Sequence, residues 1–197
     1  MSYDMLMVYT PEALPEGYVP PLPEQNGRFL ISNRAMYAME DVMTIAGVLD
    51  TACAAPVLPN WPPEGISQKR IDKLGAVFCV DGAEVTVGHD CLLPLTGREE
   101  RIFEGWAEKA NAVLTRRSDQ PGKVPAYKFQ SQQNWFVCPE ECLLIGEGLM
   151  TGLKRRKTAL SAPYVSDGMG PRTATAWVRR WAVFNQIAAG HGGYRVF

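Results

Sequence analysis

The sequence predicts an α+β fold, a single domain in which four longer helices pack on a largely antiparallel sheet. Strand-like runs stand at both ends and in the middle of the chain, and helical patterns lie between them. Asp81-Gly82, between two apolar runs, is typical of a β-hairpin turn. The 197 residues suit one domain over residues 1–197, and a hydrophobic fraction of 46% is enough to fill a core.

Four segments are predicted to form the strands of one sheet. Ser2–Tyr9 is a short apolar run that ends where prolines and a glycine follow. The hairpin around Asp81-Gly82 supplies the next strands. Phe129–Val137 is rich in aromatic residues, and Tyr194–Phe197 follows a glycine turn at the end of the chain. We expect all of them to pair in a common sheet.

Helical periodicity predicts four long helices, at residues 33–50, 98–116, 139–155 and 174–189. Each has an apolar stripe that it can bury only against a shared surface. Ser67 is a suitable cap for a short helix through "SQKRIDKL". Glycines and prolines predict a flexible loop over residues 162–173, and Gly190 is expected to end the last helix in the left-handed conformation.

Two proline-rich loops interrupt this pattern, at about residues 10–25 and 55–65. Proline lacks the backbone N–H and clashes with the preceding turn, so neither loop can be helical. Tyr18 and Trp61 lie in these loops, and aromatic side chains of this kind anchor protein partners. Both are therefore predicted binding residues, together with Trp135 just before the helix at 139–155.

Charge is balanced over the chain, because 20 Lys and Arg against 21 Asp and Glu give a net charge of −1. No overall field therefore favours nucleic acid. The densest basic stretch is "GLKRRK", which contains Arg155 and Arg156, and Arg179-Arg180 is expected on the solvent face of the last helix. These four arginines are predicted binding residues, and a protein partner is favoured over nucleic acid.

Several classes of protein are not indicated. The apolar runs are shorter than the roughly 20 residues of a membrane helix, and the N-terminus lacks the basic flank and cleavage site of a signal peptide. Five cysteines, an odd number at irregular spacing, are not typical of a secreted disulfide scaffold. We therefore expect a cytoplasmic protein without membrane association. The chain has no phosphate-binding loop and no G-x-S-x-G motif.

The segment "NWFVCPEECLLIGEGLM" places Cys138 and Cys142 where an apolar run becomes periodic. We interpret it as a helix start, with Cys138 as the cap, Pro139 at the first position and two glutamates facing the positive end of the helix dipole. No second pair of cysteines or histidines stands at the matching spacing of a zinc site, and a redox pair has two intervening residues. Neither a metal nor a cofactor is predicted.

A reactive role is the alternative interpretation of Cys138. A thiol at a helix N-terminus can have a lowered pKa, and the C-terminal strand could bring the glycine-flanked His191 beside it. Such a pair suits acyl transfer, so a small cysteine/histidine-dependent hydrolase or acyl-transfer enzyme is the alternative function. His89-Asp90-Cys91 is interpreted as a turn, because adjacent residues of an extended chain point to opposite sides.

Three stretches, "GRFLISNRAMYAMEDVMTIAGVLD", "YKFQSQQNWFVCPEECLLIGEGL" and "WVRRWAVFNQIAAGHGGYRVF", together cover about a third of the chain. They resemble segments of small uncharacterised proteins of bacteria and their phages. Those proteins have a tryptophan strand running into a "T-P-E-E-C" helix start and an "A-x-H-G-G-F" ending. Here Gln132-Gln133-Asn134 and Cys138 replace the family's Asn-Asp-Gly and threonine. The resemblance implies a shared fold and a capping role for Cys138, and it implies no catalytic residue.

These observations favour a non-enzymatic, cytoplasmic accessory protein that binds another macromolecule. The resemblance suggests phage–host or mobile-element biology as its setting. The proline-rich loops with Tyr18 and Trp61 are the predicted contact surfaces.

Overall fold

The computed structural model describes residues 2–7, 28–72, 76–80, 83–87 and 95–197. Backbone contacts divide the chain into two compact units. Unit 1 comprises Met1–Ala55 and Arg117–Phe197, and unit 2 comprises Pro56–Arg116. The first proline-rich loop, with Tyr18, lies outside the described residues, as does the His89-Asp90-Cys91 turn.

The elements are numbered along the chain. The strands are β1 (Ser2–Met7), β2 (Arg28–Ser32), β3 (Leu49–Asp50), β4 (Ala76–Val80), β5 (Ala83–Val87), β6 (Val124–Pro125), β7 (Trp135–Val137) and β8 (Tyr194–Val196). The helices are α1 (Asn33–Ala46), α2 (Gln68–Ile71), α3 (Gly97–Leu114), α4 (Pro139–Arg155), α5 (Lys157–Ser166) and α6 (Pro171–Gly190). A 3₁₀ turn, Ala126–Phe129, stands between β6 and β7.

Unit 1 is built on a four-stranded sheet with the order β2-β1-β8-β7, antiparallel at every pairing. The last strand of the chain is central, because β8 lies between β1 and β7. This confirms the α+β class and the antiparallel sheet. It also confirms strands at both termini and the expected pairing of the C-terminal strand with the segment before Cys138.

The core of unit 1 is formed by the sheet with α1, α4, α5 and α6. Trp181 of α6 is fully buried, and its ring meets Phe29 of β2 at a centroid distance of 5.1 Å. Helices α4 and α6 pack closely. A Cβ at Gly146 of α4 would lie 2.7 Å from the Gln186 side chain and 3.1 Å from the Ala182 carbonyl oxygen of α6. The small residue therefore sets the approach of the two helices.

Several helix and strand boundaries in unit 1 differ from the predicted ones. Helix α1 ends at Ala46, because Gly47 takes a left-handed cap with φ of 78°, and Leu49–Asp50 then pairs in parallel with β6. The predicted Phe129–Val137 strand is confined to β7, because Phe129 belongs to the 3₁₀ turn and residues 130–134 form an irregular bend in which Asn134 has a φ of 63°. Gly190 belongs to α6, and the left-handed residues are Gly192 and Gly193.

The predicted loop over residues 162–173 is also wrong at both ends and is reduced to residues 167–170, because α5 extends to Ser166 and α6 begins at Pro171. Pro163 is tolerated inside this helix because Leu160 and Tyr164 are buried against its neighbours. The Tyr164 hydroxyl donates a 3.0 Å hydrogen bond to the Ala35 carbonyl of α1. Tertiary packing thus outweighs the local cost of the proline.

Unit 2 contains α2, the β4–β5 hairpin and α3. Ser67 caps α2 as predicted, and β4 pairs with β5 in the register expected of the hairpin. Two expectations are wrong. The hairpin forms a two-stranded sheet of its own and does not join the four-stranded sheet. Helix α3 packs within unit 2, where Phe103 is buried with Ile66 and Ile71. The prediction of one domain over residues 1–197 stays a prediction.

Candidate functional site

The start of α4 has the predicted structure. Cys138 is the N-cap and Pro139 the first helical residue. The Glu141 carboxylate accepts a 3.0 Å hydrogen bond from the Cys138 backbone N–H, which satisfies one of the donors at the helix start. The Cys142 thiol donates to the Val137 carbonyl oxygen at 3.6 Å. The interpretation of this motif as a helix start is therefore confirmed.

A buried ion pair between Lys128 and Glu141 links the start of α4 to the preceding 3₁₀ turn. The Lys128 ammonium donates to both Glu141 carboxylate oxygens, at 2.9 and 2.7 Å, and to the Phe136 carbonyl oxygen at 2.7 Å. The two side chains are 0% and 1% exposed. Sequence reasoning missed Lys128, because nothing in a linear pattern shows that a lysine turns inward. Since both charges are partnered and closed to solvent, this pair is structural.

The environment of Cys138 opposes a reactive thiolate. The thiol is buried, and burial together with the Glu141 charge raises its pKa to about 11. The glycine turn after α6 packs against this junction through Gly193. A Cβ at Gly193 would lie 2.2 Å from the Val137 carbonyl oxygen and 3.2 Å from the Cys138 Cα, so no larger residue fits here. His191 is half-buried in the same turn. Nucleophilic catalysis needs the pKa lowered, so this geometry gives the Cys138–His191 pair no support.

The remaining predicted binding residues of unit 1 fall into two groups. Trp135 is fully buried and donates to the Ser131 hydroxyl at 2.8 Å, so its prediction as a binding residue is corrected to a core residue. Arg155 and Arg156 are exposed beside a cleft of about 380 Å³ at the end of α4. Arg179 is exposed, as expected for the solvent face of α6, whereas Arg180 is half-buried, with its guanidinium carbon 5.8 Å from the Trp177 ring centre.

Trp61, the other predicted aromatic anchor that the structure describes, lies in unit 2 and packs on Trp106, which lines a cleft. Its side chain is 42% exposed, and its ring packs edge-on against Trp106 of α3 at a centroid distance of 4.9 Å. The Trp106 indole N–H donates a 2.9 Å hydrogen bond to the Asn60 carbonyl oxygen, which ties the proline-rich loop to the helix. The loop is thus held in place while Trp61 and the 89% exposed Val57 face solvent.

The cleft beside this tryptophan pair has a volume of about 450 Å³, and we name it the α3 groove. One wall belongs to the proline-rich loop and consists of Pro59, Asn60, Pro63 and Glu64. The other wall belongs to α3 and consists of Arg101, Ile102, Gly105, Trp106 and Lys109. Both walls lie within unit 2.

Gly105 keeps the middle of the helical wall open. A glycine inside a helix costs about 1 kcal/mol relative to alanine, and a close packing contact usually explains its presence. The described part of the chain makes no such contact here, because a Cβ built at Gly105 would meet none of its atoms within 4 Å. The sequence contains a signal for this opening, because a glycine in the middle of a strongly periodic helix needs a reason.

The basic residues of α3 that line the groove are separated from a row of acidic residues on the same helix. Arg101 and Lys109 line it, one turn before and one turn after Gly105. Neither forms an ion pair with another residue in the described ranges, nor does Glu64 on the opposite wall. The carboxylates of α3 at Glu100, Glu104 and Glu108 form a separate row that does not line the groove. The two unpaired cations therefore face the open space.

Two further observations bear on function. Among the residues that the structure describes, no group of three or more His, Cys, Asp and Glu side chains is placed to hold a metal ion. Within the same residues, none of the helices combines the length and apolar character needed to cross a membrane.

Comparisons with family models, curated proteins and solved structures give no match. The resemblance to phage and bacterial proteins thus stays a prediction.

Proposed function

We propose that this protein acts by binding a segment of another protein in the α3 groove. The observation that carries the proposal is the open space over Gly105, next to the half-exposed Trp61. Tryptophan is among the residues most enriched at interface hot spots, and Trp61 packs on Trp106, which lines the groove. The proline-rich loop is already ordered, so binding would not have to order it.

The proposal extends to the setting of the protein. We propose a cytoplasmic accessory role, which is supported by the free thiols of Cys53, Cys138 and Cys142 in a chain with an odd number of cysteines. Phage–host or mobile-element biology is proposed on the resemblance alone. The raised pKa of Cys138 favours this binding role over acyl transfer at that residue.

A substitution that fills the groove without removing any contact tests the binding role. Gly105→Leu adds a side chain to the open space and improves helix propensity, so the fold should be retained. Glu104→Leu adds the same side chain to the neighbouring, exposed position outside the groove and serves as the matched control. Immobilised wild type and both variants would be exposed to lysate of the source organism. Each captured protein would then be purified and its Kd measured.

We expect at least one partner that binds the wild type and Glu104→Leu with equal affinity and binds Gly105→Leu at least tenfold more weakly. Circular dichroism of the three proteins confirms that the helices are intact. If every captured partner binds Gly105→Leu as tightly as the wild type, the α3 groove is not the binding site and the proposal is wrong.

A further inference from the structure

The walls of the α3 groove determine which kind of segment can bind there. Pro59 and Pro63 have no backbone N–H to donate, and the Asn60 carbonyl already accepts from Trp106. The helical wall has its backbone groups paired within α3. Neither wall contains a β-strand whose edge could pair with an added strand, so we expect recognition to rest mainly on the side chains that line the groove.

Those side chains favour negative charge. Arg101 and Lys109 outnumber the single lining carboxylate, Glu64, and both cations are exposed and unpaired within the described residues. An arginine can hold a carboxylate by two parallel hydrogen bonds, and lysine attracts one as a point charge. Between them, Ile102, Trp106 and the space over Gly105 form an apolar recess.

We infer that the partner segment is an extended acidic peptide with one apolar side chain between two carboxylates. This inference rests on the proposed function. Arg101 and Lys109 are eight residues apart, so their Cα atoms are separated by about 12 Å along the helix. An extended peptide advances by about 3.3 Å per residue. The two acidic residues should therefore stand three or four positions apart, with the apolar residue between them entering the space over Gly105.

A polyanion such as single-stranded nucleic acid fits the groove less well. Binding of a nucleic-acid backbone requires a longer track of cations, and of the residues that the structure describes two cations line this groove. The row of carboxylates at Glu100, Glu104 and Glu108 on the same helix would repel phosphates that continue beyond it. A short peptide can place its two carboxylates at the cations and leave this row uncovered.

Selection from a random-peptide display library tests the inference. The targets are the wild type, the charge-reversed variant Arg101→Glu/Lys109→Glu, and Gly105→Leu. A matched control, Lys154→Glu/Arg172→Glu, makes the same change in charge on exposed residues of unit 1. We expect the wild type and the control to enrich peptides with Asp or Glu at positions three or four apart around an apolar residue. The charge-reversed variant should bind these peptides at least tenfold more weakly and enrich basic ones.

The outcomes separate the inference from the proposed function. Two results would overturn the inference of an acidic partner and leave the groove as the binding site. In the first, the selected peptides need Gly105 but show no excess of Asp or Glu. In the second, they bind the charge-reversed variant as tightly as the wild type. Peptides that bind Gly105→Leu as well as the wild type would contradict the proposed function itself. A random single-stranded oligonucleotide pool is the third probe. Submicromolar binding of the pool, lost on charge reversal, would overturn the peptide in favour of nucleic acid.

Discussion

Helices α4 and α3 both contain interior glycines, and the two helices use them in opposite ways. In α4, a Cβ at Gly146, Gly148 or Gly152 would lie 2.7 Å or less from a neighbouring side chain. In α3, a Cβ at Gly105 would meet nothing within 4 Å. The glycines of α4 allow close packing inside unit 1, whereas Gly105 leaves open a space that no described residue fills.

The charged residues of the two regions differ in the same way. At the start of α4, Lys128 and Glu141 are buried, bond each other and complete their hydrogen bonds with the Phe136 carbonyl and the Cys138 N–H. On α3, Arg101 and Lys109 are exposed and face the groove without a described partner. Groups whose interactions are completed inside the chain are explained by stability. Groups without a described partner at one place on the surface are available to a ligand, which is the basis of the proposed function.

The largest expected effect is at the buried ion pair. Lys128→Met leaves the Glu141 carboxylate buried without its cation, and we expect the free energy of unfolding to fall by about 3–5 kcal/mol. Urea denaturation followed by tryptophan fluorescence measures the loss. The double variant Lys128→Met/Glu141→Leu should recover much of the lost stability, because it contains no uncompensated buried charge. It should remain about 1 kcal/mol less stable than the wild type, because the Glu141 cap of the Cys138 N–H is lost. A loss below 1 kcal/mol in the single variant would show that the pair is not the structural lock described above.

The next largest loss of stability is expected at Gly148, where α4 packs closely against Val48. A Cβ at Gly148 would approach Val48 Cγ1 to 2.2 Å, and a branched valine has little rotamer freedom with which to withdraw. Gly148→Ala should therefore destabilise by about 1–3 kcal/mol in spite of the better helix propensity of alanine. Thr151→Ala, at an exposed position of the same helix, is the control and should change stability by less than about 0.5 kcal/mol.

The same substitution in α3 should have the opposite sign. Gly105→Ala adds a methyl group to open space, so only the helix propensity changes and stability should rise by about 0.5–1 kcal/mol. Ala112→Gly, at an exposed position of the same helix, should lower it by a similar amount. Thermal and urea denaturation compare the three proteins. Destabilisation by Gly105→Ala would mean that the space over this residue is already filled by the chain.

The smallest effect is the pH dependence of the partly buried ion pair between Arg70 and Glu99 in unit 2. Hydrogen bonds from Arg70 and from the Thr96 backbone lower the pKa of Glu99 from 4.5 to about 2. Because the folded-state pKa is the lower one, this pair stabilises unit 2 above pH 4.5 and the contribution is lost as the pH falls from 4.5 to about 2. Arg70→Met should flatten the loss of stability across this interval, measured by urea denaturation at each pH. An unchanged slope in the variant would assign the acid sensitivity to other carboxylates.

Local signals in the sequence were sufficient for much of the fold. The start of α4 at Cys138-Pro139, the cap of α2 at Ser67 and the β4–β5 hairpin depend on interactions between residues a few positions apart. Propensity, capping and turn chemistry act over that distance, so a linear pattern contains them. Trp61 was also predicted as an exposed anchor, because it stands in a loop where prolines exclude regular structure.

Tertiary structure alone decided the rest. Whether Trp135 is a surface anchor or a core residue, and whether Lys128 points inward to Glu141, depend on which elements pack on β7, and no local pattern contains this. Helix α5 forms through Pro163 because buried contacts compensate for a local penalty. The α3 groove arises in the same way. The sequence determined a periodic helix with one glycine and a proline-rich loop with one tryptophan, and only their packing against each other, through Trp106 and Asn60, makes a recess between two cations.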